Sequence, residues 1–324
     1  MKSVTSKMML AALGTLMLAA CNNEEVMPGG ETWSGTPQFS ATIEGAGEVA
    51  TRATDQLWNV NDKIGISGTS GDMTYTNLPY KVAGEGISGK FSPVAETIYY
   101  QTDEAVTFTA YYPWNEKITA EKVTIAADTW RQADQRDFDF LWAQANGEKA
   151  KPQVNFRFAH KMSKLELTVK KGDGVNFDEV KKAVLMLEKF KHEGTFNVTD
   201  GTTVATGNES GMWEFANNSD DEVFNAPFQT DNTNQTVTYT LLFFPQEFSM
   251  ALPFTATLTD EQSFKADLDF KAANATLDGA AAKNEWVAGR QYSLGIVLNK
   301  TGITVEGCTI APWEKVPGGD FSAE

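Results

Sequence analysis

Cysteine and histidine are almost absent from this chain, with two of each in 324 residues. A disulfide framework or a zinc site therefore has few candidate residues. Basic charge is also scarce: 27 Lys and Arg stand against 43 Asp and Glu, for a formal net charge of −16. A nucleic-acid binder replaces phosphate counterions with clustered Lys and Arg, so nucleic acid is not an expected partner. Long apolar runs are missing too. The uncharged run Met8 to Ala20 covers 13 residues, short of the ~20 that a membrane-spanning helix needs. What remains is ordinary globular composition, 41% hydrophobic and 11% aromatic, enough at this length for about two domains with their own cores.

The apolar run follows Lys2 and Lys7 and ends in Leu18-Ala19-Ala20-Cys21. A positive start, a short apolar stretch and small residues at its end make residues 1–20 a secretion signal. The spacing before Cys21 resembles a bacterial lipobox, in which the Cys thiol is acylated and cleavage leaves that Cys first in the chain. Attachment to the outer membrane would then be through lipid alone. If Cys21 carries lipid, Cys308 has no partner within the chain. The acidic Asn22-Asn23-Glu24-Glu25 that follows resembles the surface-export signal of Bacteroidetes lipoproteins. Residues 21–37 are rich in Gly, Pro, Glu and Thr and read as a tether.

From Gln38 onward apolar residues alternate with polar ones, as in Val106-Thr107-Phe108-Thr109-Ala110, Leu165-Glu166-Leu167-Thr168-Val169 and Val237-Thr238-Tyr239-Thr240-Leu241. A period of two buries one face of a strand and wets the other, the pattern of antiparallel sheets. Turn residues break the runs at short intervals, at Gly68–Gly71, Gly172–Gly174, Asp200-Gly201 and Asp231–Asn234. Many short strands of this kind build β-sandwiches or small barrels. Phe177 to Lys191 has some helical spacing, although its Val184-Leu185-Met186-Leu187 run suits a buried strand. The polar, Pro-bearing stretch Lys149 to Pro152 marks a boundary, giving an N-terminal domain at 38–152 and a C-terminal one at 153–324.

Motifs that would carry chemistry are weak. Gly84-Glu85-Gly86-Ile87-Ser88-Gly89 has the spacing of a phosphate loop, but Phe91-Ser92-Pro93 does not open a helix and Glu85 would repel phosphate. A glycine-rich hairpin fits better. The pairs Asp137/Asp139 and Asp267/Asp269 lie at i, i+2 and share a strand face, whereas glycosidase carboxylates face each other across a substrate; a solvated face is expected for both. His160 and His192 lack a nucleophile beside them, and His160 reads as a satisfied structural histidine. Eight tryptophans could stack on sugars, yet most sit at strand ends, where they plug a rim while the N–H finds a carbonyl. No catalytic residue, cofactor or metal is expected.

In order along the chain stand Thr51-Arg52-Ala53-Thr54, Trp58-Asn59-Val60-Asn61-Asp62-Lys63-Ile64-Gly65-Ile66, Gly89-Lys90-Phe91 and Phe108-Thr109-Ala110-Tyr111-Tyr112-Pro113. Then come Phe158-Ala159-His160-Lys161-Met162-Ser163-Lys164-Leu165, Leu242-Phe243-Phe244-Pro245-Gln246, Gly289-Arg290-Gln291-Tyr292 through Leu298, Ile303 and Ile310-Ala311-Pro312-Trp313. With a lipobox in front, this series resembles the fimbrillin family of Bacteroidetes, the subunits of type V pili. The resemblance implies an all-β chain of two tandem transthyretin-like β-sandwich domains, an outer-membrane lipoprotein precursor and no enzyme activity. It also implies polymerisation with other fimbrial subunits. An Arg-specific protease removes the N-terminal segment, and an extended segment of another subunit fills the groove that this opens.

The residues fit that route. Gln38-Phe39-Ser40-Ala41-Thr42-Ile43 alternates as a strand, with Phe39, Ala41 and Ile43 as the displaced residues. A Gly- and Ala-rich loop follows, and Arg52 lies where a trypsin-like protease binds extended backbone, cutting between Arg52 and Ala53. The displaced strand is expected at a sheet edge, leaving unpaired backbone for strand addition. The C-terminal segment is the expected donor, either the strand that carries Ile303, Val305, Ile310 and Trp313 or the polar tail Glu314 to Glu324 that follows it. Stalk, tip and accessory roles all stay open, whereas the Arg52 context disfavours an anchor. The alternative is a surface glycan-binding β-sandwich lipoprotein using exposed tryptophans.

Overall fold

The computed structural model describes residues 35–44, 57–216, 226–277 and 282–313. Its regular structure is nearly all β, as the alternating pattern requires. In the first half the strands are β1 (Gln38–Ile43), β2 (Lys63–Ser70), β3 (Met73–Val82), β4 (Ser88–Pro93), β5 (Val106–Tyr112), β6 (Thr124–Asp128), β7 (Leu141–Gly147) and β8 (Gln153–His160). Then follow β9 (Ser163–Lys171), α1 (Phe177–Lys182), β10 (Val184–Phe190), β11 (Glu193–Asn197), β12 (Thr203–Thr206), β13 (Gly211–Phe215), β14 (Phe228–Asp231) and β15 (Thr236–Phe243). The last are β16 (Gln246–Glu247), β17 (Leu252–Thr257), β18 (Ser263–Leu268), α2 (Lys271–Asn274), β19 (Glu285–Trp286), β20 (Arg290–Asn299), β21 (Gly302–Val305) and β22 (Thr309–Pro312).

Seven strands form a sheet in the order β1-β4-β3-β2-β5-β7-β8 that closes on itself, β8 returning to β1. Every pairing in it is antiparallel except β1 with β8. Inside, Phe39, Ile64, Ile66, Tyr80, Phe108, Phe156 and Phe158 pack into one core. The second half is a sandwich. One sheet runs β13-β10-β17-β18; the other runs β14-β15-β9-β20, with β21 and β22 both on the far side of β20. Leu167, Leu187, Tyr239, Phe254, Trp286 and Ile296 fill the space between them.

Two expectations change here. The break at 149–152 is a turn inside the first sheet, because β8 pairs with β7 and β1. The first sheet runs on to His160, and the next strand, β9, belongs to the second half. The stretch 177–191 divides between helix and strand. Asn176 and Glu179 form a capping box that starts α1, and the Val184–Leu187 run becomes the buried strand β10.

The halves are joined by more than a linker. Strand β6 leaves the barrel's order and pairs with β11, making a small sheet β12-β11-β6 from both halves. A third core lies beneath it, with Tyr111, Phe138 and Phe140 from one side and Phe196, Leu242 and Phe244 from the other. The Gln132 amide donates to Leu242 O at 2.8 Å and accepts from Leu242 N at 2.9 Å. A buried apolar layer with satisfied polar groups couples two bodies more firmly than a flexible connection does.

Candidate functional site

The strand between Gln38 and Ile43 alternates exposed and buried positions. Phe39, Ala41 and Ile43 point inward and are 3%, 2% and 5% exposed. The Phe39 ring lies edge-on to Tyr80 and Phe108, with centroids at 5.0 and 5.2 Å, and stacks on Phe156 at 5.6 Å. It therefore stands at the centre of an aromatic cluster drawn from three other strands.

The expected edge position is not observed. β1 is paired on both sides, with Phe39 opposite Phe91 and Ala41 opposite Gly89 on β4, and with Phe39 beside Val154 and Ile43 beside Phe158 on β8. Alternation reports that one face is buried, but it cannot report how many neighbours the backbone has. β1 is the closing strand of the barrel. Trp58 ties it from outside the sheet order, its Nε1–H donating to Ala41 O at 3.2 Å. Gly89 makes room for this, since a Cβ there would meet Val82 at 2.6 Å and the Trp58 ring at 3.3 Å. The residues 84–89 are thus the glycine-bearing turn and start of a β3–β4 hairpin, as expected.

The donor candidates sit on the opposite kind of strand. β21 and β22 both run antiparallel to β20, Ile303 opposite Leu298 and Ile310 opposite Tyr292. Glu306 N bonds Gly295 O at 2.8 Å between them, so residues 302–312 form one interrupted edge strand. Ile303, Val305 and Ile310 are half-buried against the sandwich core. Trp313 is fully inside, 2% exposed. Its backbone N–H donates to Gly289 O at 2.9 Å, and its ring stacks on His160 at 3.9 Å and 8°. Cys308, in the link between β21 and β22, is unpaired and partly covered, and burial pushes its thiol up to about 12.

Cys21, Arg52 and Ala53 lie outside the described residues, as does the tail from Glu314. Arg52 falls in the undescribed stretch 45–56 that connects β1 to Trp58. Asp267 and Asp269 are exposed, as expected. Asp137 is also exposed, but Asp139 is not: it is 7% exposed and accepts from His160 Nδ1 at 2.9 Å. Its side chain turns into the junction because β7 and β8 meet there. His160 was expected to be satisfied, yet its Nε2 has no partner among the described residues. His192 bonds Asp128 at 2.7 Å beside Trp130. Trp58, Trp213, Trp286 and Trp313 are core residues. Trp114 and Trp142 are part-buried with N–H groups on the Asn77 and Val198 carbonyls. The indole N–H groups of Trp213 and Trp286 find no such acceptor among the described residues.

A closed barrel and a sandwich that shares a core with it make the described chain an all-β protein. The fimbrillin-like family model matches residues 51–313, and the chain belongs to that family. A Bacteroides uniformis protein named as the fimbrium subunit Fim1C is 27% identical, with 95% of each chain covered. A solved B. uniformis structure described as a cell adhesion protein superposes with a TM-score of 0.64 at 25% identity, over 86% of this chain and 98% of that one. A B. ovatus structure described in the same words shares the fold, with a TM-score of 0.67 at 21% identity over 89% of this chain and 100% of its own.

Proposed function

We propose that this chain is a stalk, tip or accessory subunit of a surface fimbria that serves adhesion. It is exported as a lipoprotein with Cys21 acylated, cut between Arg52 and Ala53, and polymerised by strand exchange with other subunits. The observation that carries this reading is the place of β1, inserted between β4 and β8 with Phe39, Ala41 and Ile43 in the core. The proposed cut would free residues 21–52, β1 among them. Its departure would open the barrel along two rows of backbone groups and a groove lined by Tyr80, Phe91, Phe108 and Phe156. Bare strand edges beside an apolar groove bind an added strand through main-chain bonds and alternate side chains.

A sequence for the replacement exists at the other end of the chain. β1 contains Phe39-Ser40-Ala41, and the tail contains Phe321-Ser322-Ala323. At a period of two, Phe321 and Ala323 fall on one strand face with the spacing of Phe39 and Ala41. This favours the tail of a second copy over residues 302–313, which are already engaged in their own sheet.

The test is to treat the purified full chain with an Arg-specific protease. N-terminal sequencing should read Ala53, and sedimentation should detect polymers. Arg52→Ala should stay monomeric, and Phe321→Asp should be cut without polymerising. A chain cut after Arg52 that sheds residues 21–52 and remains monomeric would overturn strand exchange.

A further inference from the structure

Around β1 the outer face of the barrel is basic, although the whole chain carries −16. Alternation turns Phe39, Ala41 and Ile43 inward, so Gln38, Ser40 and Thr42 face out. On β4 the exposed Lys90 stands opposite Ser40. On β8 Arg157 stands beside Thr42, with its side chain 71% exposed. Lys81 continues the row on β3, opposite Ser92. β1 meets these cations with three uncharged residues. The segment 38–44 carries one acid, Glu44, whose carboxylate reaches Arg157 Nε at 3.3 Å. Glu44 lies among residues 21–52, so the proposed cut would take it away with β1 and leave Arg157 without that partner.

The tail Asp320-Phe321-Ser322-Ala323-Glu324 supplies matching groups when Phe321 is set in the place of Phe39. Phe321 and Ala323 then face inward. Ser322 stands where Ser40 donates its hydroxyl to Asn155 Oδ1. Asp320 offers an oxygen to Gln153 Nε2, which in the uncut chain donates to Gln38 Oε1 at 3.2 Å. The Ala323 carbonyl replaces Ala41 O before the Trp58 Nε1–H, and Trp58 remains with the cut chain. Glu324 falls in the place of Thr42, beside Arg157. Asp320 and Glu324 both lie diagonal to Lys90, a separation that long side chains span.

The inward pattern alone does not single out this segment. Phe-x-Ala recurs elsewhere in the chain, as in Phe108-Thr109-Ala110, Phe254-Thr255-Ala256 and Phe264-Lys265-Ala266. The outward residues do discriminate. Thr107 and Tyr111 flank the first of these and Pro253 and Thr257 the second, all uncharged. The third would set Lys265 against Lys90, and like charges directly opposite are destabilising. The tail alone has an acid on both sides of its Phe-x-Ala.

We propose that the tail of a second copy enters in the direction and register of β1, with Glu324 paired to Arg157 and Lys90 held between Asp320 and Glu324. This rests on the strand exchange proposed above and adds what selects the partner: charge on the outer face, where β1 has none. Exposed pairs contribute little each, so they act on choice and rate more than on total affinity.

The test follows polymer growth by light scattering in the full chain treated with an Arg-specific protease, once residues 21–52 have been shed. Arg157→Glu and Glu324→Lys should each slow growth by about fivefold. The double variant restores opposite charges and should recover to within about twofold of the unaltered chain, a rescue that misfolding cannot mimic. In about 1 M salt both single variants should approach the unaltered chain measured in the same salt. Polymers that grow at the same rate in both single variants would overturn the register while leaving strand exchange standing. So would a double variant no faster than either single one. An unaltered chain that sheds residues 21–52 and stays monomeric would overturn strand exchange and this register with it.

Discussion

The described chain begins and ends with strands that look alike in sequence and differ in what surrounds them. β1 alternates Phe39, Ala41 and Ile43 with polar residues; the 302–312 segment offers Ile303, Val305 and Ile310. β1 is bonded along both edges and its inward residues are at most 5% exposed. The C-terminal segment is bonded along one edge, to β20, and those side chains are half-buried. Taking away an edge strand bares one row of backbone groups and moves the sheet's border inward by one strand. Taking away a closing strand bares two rows and opens the core between them. Position in the sheet, more than apolar content, decides which terminus leaves a strong acceptor behind.

The comparison breaks if both ends contribute equally to stability. Phe39→Ala empties the centre of an aromatic cluster and should cost about 3–5 kcal/mol in urea unfolding, whereas Ile303→Ala should cost about 1–2 kcal/mol. Similar midpoints for the two variants would mean that β1 is not the tighter strand. Trp58→Phe keeps most of the ring packing against Phe91, Tyr112 and Phe158. It removes the bond to Ala41 O and should cost about 1–2 kcal/mol. An unchanged midpoint would show that the indole fastens β1 by packing alone.

Thiol labelling sharpens the same contrast without changing the cores. The Cys308 thiolate is scarce near neutral pH because burial raises the thiol's pKa. Its link between β21 and β22 should still open before the barrel does, since local openings begin at edges. In Cys21→Ser protein carrying Ala41→Cys, alkylation in sub-denaturing urea should modify Cys308 at least about tenfold faster than position 41, a gap of ~1.4 kcal/mol. Equal rates would mean that the two ends open together.

Much of the fold was legible in the sequence because burial on one face writes a period of two into it. That pattern marked Phe39, Ala41 and Ile43, the strand after Leu165 and the long strand through Tyr292–Leu298, and all are strands with those residues inside. What alternation omits is the partner. It could not place β1 in the interior of a closed sheet, nor show that β8 belongs to the first half, because pairing depends on residues more than a hundred positions apart. Asp139 misled for a related reason. Its spacing from Asp137 suggested one wet face, but the 3-10 turn at Gln132–Asp137 ends between them and Asp139 turns to His160. The shared core under β6 and β11 had no sequence signal either, since Phe140 and Phe196 meet only once both halves have folded.

The weakest fastening of the C-terminal edge provides the smallest effect. Lys300 lies in the turn between β20 and β21, and its Nζ reaches Glu179 Oε1 at 2.7 Å and Asp260 Oδ2 at 2.6 Å. The Asn176 backbone N–H and then Lys300 hold the Glu179 carboxyl below its ordinary value; for Asp260 the Lys300 hydrogen bond is the main cause. Both carboxylates in turn raise the Lys300 amine. A depressed carboxyl adds stability above its unfolded value and loses it as pH falls through the folded one, so the clamp weakens as acid passes below the ordinary carboxylate range. A raised amine behaves oppositely, and its share fades only as pH rises beyond the usual lysine range. Between these limits the clamp is intact, but salt screens such solvated charges. Lys300→Met should therefore leave the urea midpoint nearly unchanged at high salt and lower it slightly at low salt. It should also speed Cys308 alkylation at neutral pH while leaving position 41 untouched. If labelling of Cys308 stays the same, the turn is held by the β20–β21 pairing rather than by charge, and the edge strand opens from its other end.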